Sequence, residues 1–314
     1  MLESISRALF LAASRNQRLK TMVSRYGMRG PQSFARRFIG GETLDDVMVT
    51  LHALGDQGFR HTLNHLGEHV ASRDAASIAA AEYLDTVERV GRAGLACKIS
   101  VKLSQIGLES DPDFCMTNLV SILGAAKHHG GFVRIDMEGS ALIDQTLDIF
   151  EGVWAAGHRN VGVVLQSYLY RTETDLQRAL DLGARVRLVK GAYNEQDGIA
   201  YANKGDVDAA FVRLAYRMLA EGAAPAFATH DPRMIDAVCA FAKDQGIGRD
   251  AFEFQMLYGV RRDLQTTLVA KGYGVRVYVP FGAEWFPYFM RRLAERPANV
   301  GFVIRSVLYE QRGG

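Results

Sequence analysis

The sequence predicts an α/β protein, a (β/α)8 barrel of the TIM type, and three observations support this fold. Eight short runs rich in β-branched residues recur along the chain, at intervals of about 30 residues. Segments with helical periodicity, such as 234–242, separate these runs. Several of these segments end where a left-handed glycine would stop a helix, at Gly94, Gly183, Gly246 and Gly272. Strands and helices that alternate in this way are typical of a parallel sheet with helical crossovers.

Taken in order, the predicted strands span residues 61–66, 96–103, 132–136, 161–166, 184–190, 226–229, 252–257 and 275–279. The last strand is expected to stop at Pro280, because proline lacks the amide hydrogen that a strand ladder needs. Eight such units fit one barrel domain of about 250 residues, predicted here over 46–314. Residues 1–45 form a predicted N-terminal helical preface, and C-terminal helices include a tail predicted over 297–308.

An open, doubly wound sheet is the competing architecture. Such a sheet normally carries a Gly-x-Gly-x-x-Gly turn after its first strand. This sequence has no such turn there, so we predict the closed barrel.

The composition fits a globular protein and argues against several functional classes. Of 314 residues, 48% are hydrophobic and 23% charged, and the net charge of +2 gives no reason to expect nucleic-acid binding. Three well-separated cysteines without a Cys-x-x-Cys motif suit a reducing compartment. No apolar run approaches the roughly 20 residues that cross a bilayer. We therefore expect a cytoplasmic protein, and its oligomeric state stays open.

Polar side chains gather at the predicted ends of the strands, where barrels of this type carry their active sites. These ends include Lys102, Asp136, Glu138, Gln166, Arg187, Lys190, Thr229, His230, Leu257, Tyr258 and Tyr278. The set is too polar for a core lining and too cationic for a sugar cleft built around two acids. A buried ammonium such as Lys102 needs a partner or an anionic ligand, and Asp136 on the next strand is a candidate partner. Structural ion pairs inside the barrel mouth are the alternative interpretation.

A charged segment follows the last predicted strand. On a helix, Arg291, Arg292 and Glu295 lie on one face, because Glu295 is four and three residues from the two arginines. Two adjacent guanidinium groups form a fork-shaped clamp for a planar anion such as a carboxylate, which Glu295 would hold in register. A solvated charged face is the alternative.

Seven of the eight predicted strands carry distinctive motifs. These are Ile-Ser-Val-Lys-Leu-Ser at 99–104, Arg-Ile-Asp-Met-Glu at 134–138, Val-Leu-Gln-Ser-Tyr-Leu at 164–169, Arg-Leu-Val-Lys-Gly-Ala-Tyr at 187–193, Ala-Thr-His-Asp at 228–231, Gln-Met-Leu-Tyr-Gly at 255–259 and Arg-Val-Tyr-Val-Pro-Phe-Gly at 276–282. An eighth motif, Arg-Arg-x-x-Glu at 291–295, lies on the helix predicted after the last strand. Together, over about 36–305, they resemble the proline dehydrogenase family in its stand-alone bacterial form. The first strand departs from the family, which tends to have an acidic residue before Leu-Gly-Glu where this chain has Asn64 and His65.

The resemblance implies an FAD-dependent oxidation of L-proline to 1-pyrroline-5-carboxylate, with electrons passed to a quinone, as the first step of proline degradation to glutamate. It implies that Tyr278 and Leu257 form a wall against the proline ring, and that Asp136 orders Lys102 without abstracting a proton. The implied catalytic residues are Asp136, Arg187 and Tyr278. The implied substrate-binding residues are Lys102, Leu257, Arg291, Arg292 and Glu295, with the three cations on the substrate carboxylate.

The resemblance also implies a set of contacts to FAD. Arg187 is expected near the reactive flavin nitrogen, where it and Lys190 would stabilise the negative charge that develops on the ring. Gly191 is expected to let backbone amides approach an anion closely. The implied cofactor-binding residues are Met137, Gln166, Arg187, Lys190, Gly191, Ala192, Thr229 and His230.

Three other functions are weighed against this interpretation. His65-Leu-Gly-Glu-His69 matches an inverted zinc-protease motif, but Gly67 interrupts the helix that such a motif requires, so we predict no metal. A Schiff-base aldolase is the second alternative, and its reactive lysine would be Lys102 or Lys190. A non-catalytic binding scaffold is the third alternative, which the charged strand ends disfavour.

A membrane quinone is the electron acceptor that the resemblance implies. The cationic preface around Arg15, Arg18 and Lys20 is a candidate peripheral contact with the inner face of the cytoplasmic membrane. A solvated helix is the alternative for that segment. No nucleic-acid partner is predicted.

Overall fold

The structure is a computed structural model that describes Ser33 and residues 35–67 and 70–295. Its strands are β1 Arg60–His65, β2 Lys98–Val101, β3 Phe132–Ile135, β4 Val161–Gln166, β5 Arg185–Val189, β6 Ala226–Ala228, β7 Glu253–Leu257 and β8 Gly274–Phe281. Each strand pairs in parallel with the next, and β8 pairs with β1, so the sheet closes into a barrel. The predicted (β/α)8 fold is confirmed.

Among the described residues, one helix precedes the barrel and one follows each strand. They are α1 Leu44–Asp56, α2 Arg73–Arg92, α3 Pro112–His128, α4 Ile143–Ala155, α5 Thr172–Asp181, α6 Lys204–Glu221, α7 Pro232–Asp244, α8 Arg262–Ala270 and α9 Trp285–Glu295. Short 3-10 turns span Ala35–Arg37, Leu103–Ile106 and Ser140–Leu142.

The helices begin and end at residues that satisfy their terminal backbone groups. Thr43 and Asp46 form a capping box at the start of α1, and Asp111 and Asp231 cap the starts of α3 and α7. At the other ends, the four glycines that the sequence predicts as stops have φ between 66° and 80°. They are Gly94, Gly183, Gly246 and Gly272.

The apolar core lies between the barrel and its ring of helices. Along each strand, side chains alternate between the two faces of the sheet. On β3, Val133 and Ile135 are fully buried in this core. The alternate positions point into the barrel, where the side chains are polar and charged, among them Arg134, Arg187 and Arg276. The barrel interior is therefore the part of the fold where the sequence places its buried charges.

The prediction that Pro280 ends the last strand is wrong. Strand β8 continues through Pro280 to Phe281, and Pro280 stands opposite Asn64 of β1. Proline lacks only the amide hydrogen, and its carbonyl oxygen still accepts a hydrogen bond, here from the amide of Gly40 at 2.8 Å. The strand therefore keeps its direction to the mouth of the barrel.

A second apolar cluster holds α9 beside the ends of β8 and β1. Phe38 and Ile39, before α1, pack with Trp285, Phe286 and Phe289 of α9. The indole nitrogen of Trp285 also donates to Glu42 Oε1 at 2.8 Å. Because only three residues separate β8 from α9, this cluster fixes the helix that carries Arg291 and Arg292 at the carboxyl ends of the strands.

Several predictions fall on parts of the chain outside the described residues. These are the preface with Arg15, Arg18 and Lys20 and the tail over 297–308. The boundary between a preface and a barrel at 45/46 stays a prediction. Across residues 35–67 and 70–295, no helix combines the length and the apolar character that a membrane crossing requires.

Glu253 on β7 is expected to make stability depend on pH. It accepts hydrogen bonds from Arg276 Nε at 2.6 Å and Nη2 at 2.8 Å. Burial alone would raise the pKa of Glu253, but the hydrogen bonds and charge of Arg276 lower it from 4.5 to about 2. Because the folded-state pKa is the lower one, the stabilisation, about 3 kcal/mol, is fully present above the unfolded-state pKa and is lost as the pH falls toward about 2.

Urea unfolding of the parent chain and Glu253→Gln across this pH range measures the effect. The parent is expected to be more stable at neutral pH, and the difference is expected to shrink on acidification. A difference that stays constant down to about pH 2 would contradict the assignment.

Candidate active site

Four of the predicted site residues meet at the carboxyl ends of the strands, around Asp136. This carboxylate follows β3 and accepts from Arg187 Nη1 at 2.7 Å through Oδ1. Its Oδ2 accepts from the Tyr278 hydroxyl at 2.7 Å and lies 3.5 Å from Lys102 Nζ. The side chains of Lys102, Asp136 and Arg187 are 13%, 11% and 5% exposed. We call Lys102, Asp136, Arg187 and Tyr278 the Asp136 cluster.

Arg187 spans the barrel interior and connects three other strands to its own. Besides Asp136, it donates from Nε to Gln255 Oε1 at 2.5 Å and from Nη2 to Ser100 Oγ at 3.1 Å. Its guanidinium carbon lies 5.4 Å from the centre of the Tyr278 ring, in reach of a cation–π contact. Arg187 is therefore fixed in position by neighbours on every side.

The electrostatics of the cluster keep Asp136 charged and Tyr278 neutral. Burial alone would raise the pKa of Asp136, but the charges of Lys102 and Arg187 and a hydrogen bond from Tyr278 hold it below its ordinary value. Burial and the Asp136 charge raise the pKa of Tyr278 well above its ordinary value. At neutral pH, Asp136 is thus an acceptor of hydrogen bonds and Tyr278 a donor. The expectation that Asp136 orders Lys102 agrees with this geometry.

Two members of the network, Ser100 and Gln255, are absent from the site residues predicted from sequence. Each lies two residues before a predicted site residue: Gln255 before Leu257 on β7, and Ser100 on β2 before Lys102, whose extended backbone follows that strand. Residues two apart share one face of a strand, so the alternation of inward positions is the signal that would have found them.

Glu138, two residues after Asp136, supports the site through hydrogen bonds to neighbouring segments. It is 1% exposed and accepts hydrogen bonds from the backbone amide and the hydroxyl of Ser104. Its carbonyl oxygen accepts from Gln166 Nε2 at 2.9 Å. These bonds tie the segments after β2, β3 and β4 together, with the predicted flavin contact Met137 buried between Asp136 and Glu138.

Lys190 lies in a different network from Arg187. Its ammonium forms ion pairs with Asp208 of α6 and with Asp231, the residue that caps α7. The amide of Asp231 donates to Thr229 Oγ1 at 3.1 Å. The structure therefore groups Lys190 with Thr229 at the ends of β5 and β6, apart from the Asp136 cluster.

Two further predicted flavin contacts have local structural roles. Gly191 has a φ of 117°, a backbone conformation that favours glycine, and an added Cβ would stand 2.2 Å from the Tyr168 ring. Both the backbone conformation of Gly191 and the packing of Tyr168 therefore require glycine here. Ala192, beside it, is exposed. His230 Nε2 accepts from the backbone amide of Leu257 at 2.9 Å, which positions the end of β7.

Arg291 and Arg292 lie on α9, and both are partly buried. The guanidinium carbon of Arg292 is 5.1 Å from the centre of the Tyr288 ring. Tyr288 is in turn near enough to Tyr278 to contribute to the rise in its pKa, so α9 lies close to the Asp136 cluster. The side chain of Glu295 lies outside the described residues, and its pairing with the arginines stays a prediction.

The two residues that depart from the family pattern point in different directions. Asn64 occupies an inward position at the end of β1, is 3% exposed, and its Oδ1 has no hydrogen-bond partner among the described residues. His65 faces the helices, where it packs against Tyr83 and Phe281. Because His65 closes a strand, it does not lie on the helix that a zinc-protease motif requires. Within the described part of the chain, no group of three or more potential metal ligands comes together.

The family to which the chain belongs follows from comparison with known proteins. A sequence profile described as "Proline dehydrogenase" matches residues 47–305. The chain is 40% identical over 303 residues to "Proline dehydrogenase 2" of Bacillus subtilis strain 168, an alignment that covers 96% of this chain and 99% of that protein.

The chain belongs to the proline dehydrogenase family.

Two more relatives define its place in the proline dehydrogenase family. It is 43% identical over 280 residues to "Proline dehydrogenase" of Deinococcus radiodurans, covering 88% of this chain and 90% of that one. It is 26% identical to "Bifunctional protein PutA" of Escherichia coli K12, covering 86% of this chain but only 24% of the longer protein. The chain thus aligns with nearly the whole length of the first two relatives and with a quarter of the third, and it is an oxidoreductase of proline catabolism.

A solved structure agrees on the fold. The crystal structure of proline utilization A from Bdellovibrio bacteriovorus, inactivated by N-propargylglycine, superposes with a TM-score of 0.79. The match covers 92% of this chain and 38% of that one, at 24% sequence identity. At this identity, the likeness supports the barrel and its connections.

Proposed function

We propose that the chain oxidises L-proline to 1-pyrroline-5-carboxylate with FAD as cofactor, and that its electrons pass to a quinone. The observation that carries this proposal is the Asp136 cluster, which holds two cations and a neutral hydroxyl in fixed positions at the barrel mouth. Family membership supplies the reaction class, and the cluster supplies groups that suit a small amino acid.

The substrate carboxylate would be bound by Lys102, Arg291 and Arg292. Lys102 follows β2, and the two arginines lie on α9, which follows β8. Because β1 separates β8 from β2 in the barrel, the three cations come from the same side of the mouth. Hydrogen bonds between charged groups contribute about 1.5–3 kcal/mol each, enough for three cations to orient a molecule as small as proline. Leu257 and Tyr278, side by side on β7 and β8, would form the wall against its ring.

Asp136 would act as a positioning group. It already accepts from Arg187 and Tyr278 and neutralises part of the Lys102 charge, and its lowered pKa opposes the uptake of a proton. A carboxylate so occupied is poorly suited to act as a general base. Its proposed role is to hold Lys102, Arg187 and Tyr278 in the arrangement that receives the substrate.

The residues at the strand ends fit a flavin dinucleotide in their chemistry. Cations are in excess there, and a buried acceptor, Asn64 Oδ1, has no donor among the described residues, so a ligand in the mouth would supply one. Arg187 would stabilise negative charge on the flavin ring. The other proposed contacts are Met137, Gln166, Lys190, Gly191, Ala192, Thr229 and His230. When bound, FAD supplies the acceptor for the two electrons that leave proline.

The quinone and the location of the protein belong to the same proposal. A quinone acceptor lies in a membrane, so we propose that the protein is cytoplasmic and meets the inner face of the membrane peripherally, through the segment around Arg15, Arg18 and Lys20. Flotation of the chain with liposomes, compared with a variant lacking that segment, tests this contact. Equal flotation of the two proteins would contradict it.

Spectroscopy and turnover together test the proposed reaction. The purified chain, supplied with FAD, is expected to show a flavin absorption spectrum and to reduce a soluble quinone analogue only when L-proline is present. A protein that binds no flavin under any condition would overturn the cofactor assignment. A flavoprotein that reduces quinone equally well with and without proline would overturn the substrate assignment.

Tyr278 is expected to control discrimination between proline and hydroxyproline. Tyr278→Ala removes the ring from the proposed wall, and a change of about 1 kcal/mol, roughly fivefold, in the ratio of the two kcat/KM values is expected. Tyr278→Phe isolates the loss of the hydrogen bond to Asp136. Tyr83→Phe is the matched control, because Tyr83 is also a buried donor but binds Gln105. A ratio unchanged in both Tyr278 variants would contradict the wall assignment.

A further inference from the structure

The amino-terminal end of the barrel, opposite the active site, carries a concentration of positive charge. Inward-facing cations stand at or near the start of five strands, and they surround a cavity of about 170 Å³. They are Arg60, Lys98, Arg134, Arg185 and Arg276. Arg187, of the Asp136 cluster, closes the inner end of this cavity. We call these five side chains and their cavity the lower pocket.

Carboxylates balance only part of this charge. Glu253 binds Arg276 through two hydrogen bonds and lies 3.1 Å from Arg60 Nη1. Asp250 is the other acidic residue of the lining, and it is exposed. Among residues 35–67 and 70–295, no carboxylate lies within ion-pair distance of Lys98, Arg134 or Arg185. The five cations of the lower pocket thus face two carboxylates, and Arg187 has its own partner in Asp136.

The three cations without a carboxylate surround one aromatic ring. Lys98 Nζ, Arg134 Cζ and Arg185 Cζ lie 5.8, 5.0 and 5.4 Å from the centre of the Phe132 ring. A single ring face offsets only about 0.5–2 kcal/mol of the cost of burying a cation. Arg134 also donates from Nη1 to the carbonyl oxygen of Val163 at 3.1 Å. These contacts group the three cations around one ring, and they do not remove the repulsion between the positive charges.

Like charges grouped around one ring repel each other, and their grouping is unfavourable without an anion between them. Burial, with the charge of Arg276, lowers the pKa of Lys98 to about 8, and burial with the charge of Arg187 lowers the pKa of Arg134. Repulsion of this kind disappears when a negative ligand binds. The fold therefore retains, at the amino-terminal end of the barrel, a site whose charge is complementary to an anion.

The size and opening of the lower pocket limit the ligand. A water molecule takes up roughly 30 Å³ in the liquid, so the cavity has room for a molecule of a few non-hydrogen atoms. Arg60 and Arg185 are exposed at its rim, which gives a solute a way in from solvent. Several converging guanidinium groups and an ammonium suit a tetrahedral oxyanion with more than one negative charge.

We propose that the lower pocket binds a small multivalent oxyanion, with the chemistry of inorganic phosphate or of the phosphate group of a small phosphomonoester. The cations without a carboxylate partner, Lys98, Arg134 and Arg185, are its proposed ligands, and Arg60 is the cation at its rim.

Calorimetric titration of the FAD-loaded full chain with inorganic phosphate tests the proposal, with chloride of equal ionic strength as reference. Saturable phosphate binding is expected, weakened about tenfold or more in Lys98→Met and in Arg185→Gln, since each removes one charge-assisted contact. Lys127→Met and Arg213→Gln are matched controls on exposed helix positions and are expected to bind as the parent does. Ribose 5-phosphate in a parallel titration distinguishes the two sources of the anion.

The melting temperature of each variant, in chloride and in phosphate, distinguishes loss of the anion site from misfolding. Lys98 is half-buried and has no carboxylate partner among the described residues, so its replacement by an apolar side chain is expected to be neutral or stabilising. Lys98→Met is therefore expected to melt at or above the parent temperature in chloride, yet to gain less from phosphate. The proposal is overturned if neither phosphate nor ribose 5-phosphate binds saturably to the parent. It is equally overturned if Lys98→Met and Arg185→Gln bind as tightly as their controls.

Discussion

Asp136→Ala is expected to lower the free energy of unfolding by about 3–5 kcal/mol, because it leaves Arg187 and Lys102 charged and without their carboxylate in a buried site. The same change is expected to reduce kcat/KM for proline by about 100-fold or more, because the cations and Tyr278 lose the group that positions them. Urea unfolding and steady-state kinetics measure the two effects.

Two further variants serve as controls: Asp136→Asn, which removes the charge but keeps the side chain, and the surface variant Asp144→Ala. Asn keeps the size of the side chain and can still accept from Arg187 or Tyr278, so its loss of stability is expected to be smaller than that of Ala. Asp144→Ala is the surface control, since Asp144 pairs with Arg171 while its side chain is 74% exposed, and such pairs contribute about 0–1 kcal/mol. Equal losses in Asp136→Ala and Asp144→Ala would refute a central role for Asp136.

Arg292→Ala and Arg291→Ala are each expected to raise the KM for proline by roughly 10- to 150-fold, the equivalent of one charge-assisted hydrogen bond to a carboxylate. Both arginines lie on α9, which is fixed beside the strand ends by the cluster around Trp285. The amount of bound flavin is expected to stay the same, since neither residue is a proposed cofactor contact.

Steady-state kinetics and the flavin absorbance of each variant measure these two quantities separately. Arg178→Ala is the matched control, because Arg178 forms a surface pair with Glu151. An unchanged KM for proline in both clamp variants would show that the carboxylate binds elsewhere. Loss of flavin without a change in KM would instead make them cofactor contacts.

The fold was predictable from sequence because each unit carries its own local signals. Glycine at Gly94, Gly183, Gly246 and Gly272 marks four helix ends, and all four have the positive φ that such ends require. The strand ends were harder to locate, as Pro280 shows. A missing amide hydrogen predicts a stop, but the segment before α1 supplies a donor to its carbonyl oxygen, and no local pattern encodes that distant contact.

The site was predictable where chemistry is concentrated in single residues. Charged residues at the strand ends, such as Asp136 and Arg187, could be identified from sequence because a buried charge needs a partner or a ligand. Ser100 and Gln255 are neutral and common, and they gain a role only because the barrel brings three other strands to Arg187. The separation of Lys190 from Arg187 also depends on its acidic partners on α6 and before α7, which sequence spacing does not reveal.

The charge inside the barrel divides between its two ends. At the mouth, Asp136 compensates its neighbouring cations, Lys102 and Arg187. At the lower pocket, Glu253 compensates Arg276 and Arg60, and Lys98, Arg134 and Arg185 have no carboxylate partner among the described residues. Arg187 stands between the two, so one side chain borders both the proposed catalytic site and the proposed anion site.

Anaerobic mixing of the flavin-loaded chain with either L-proline or pyrrolidine, its analogue without a carboxylate, tests the central claim most directly. The claim is that cations at the barrel mouth hold the proline carboxylate so that the ring meets the flavin. L-Proline is predicted to bleach the flavin absorbance in a single turnover, and pyrrolidine at the same concentration to do so at least about 100-fold more slowly, since it lacks the group that the cations bind. Equal rates for the two compounds would contradict the account.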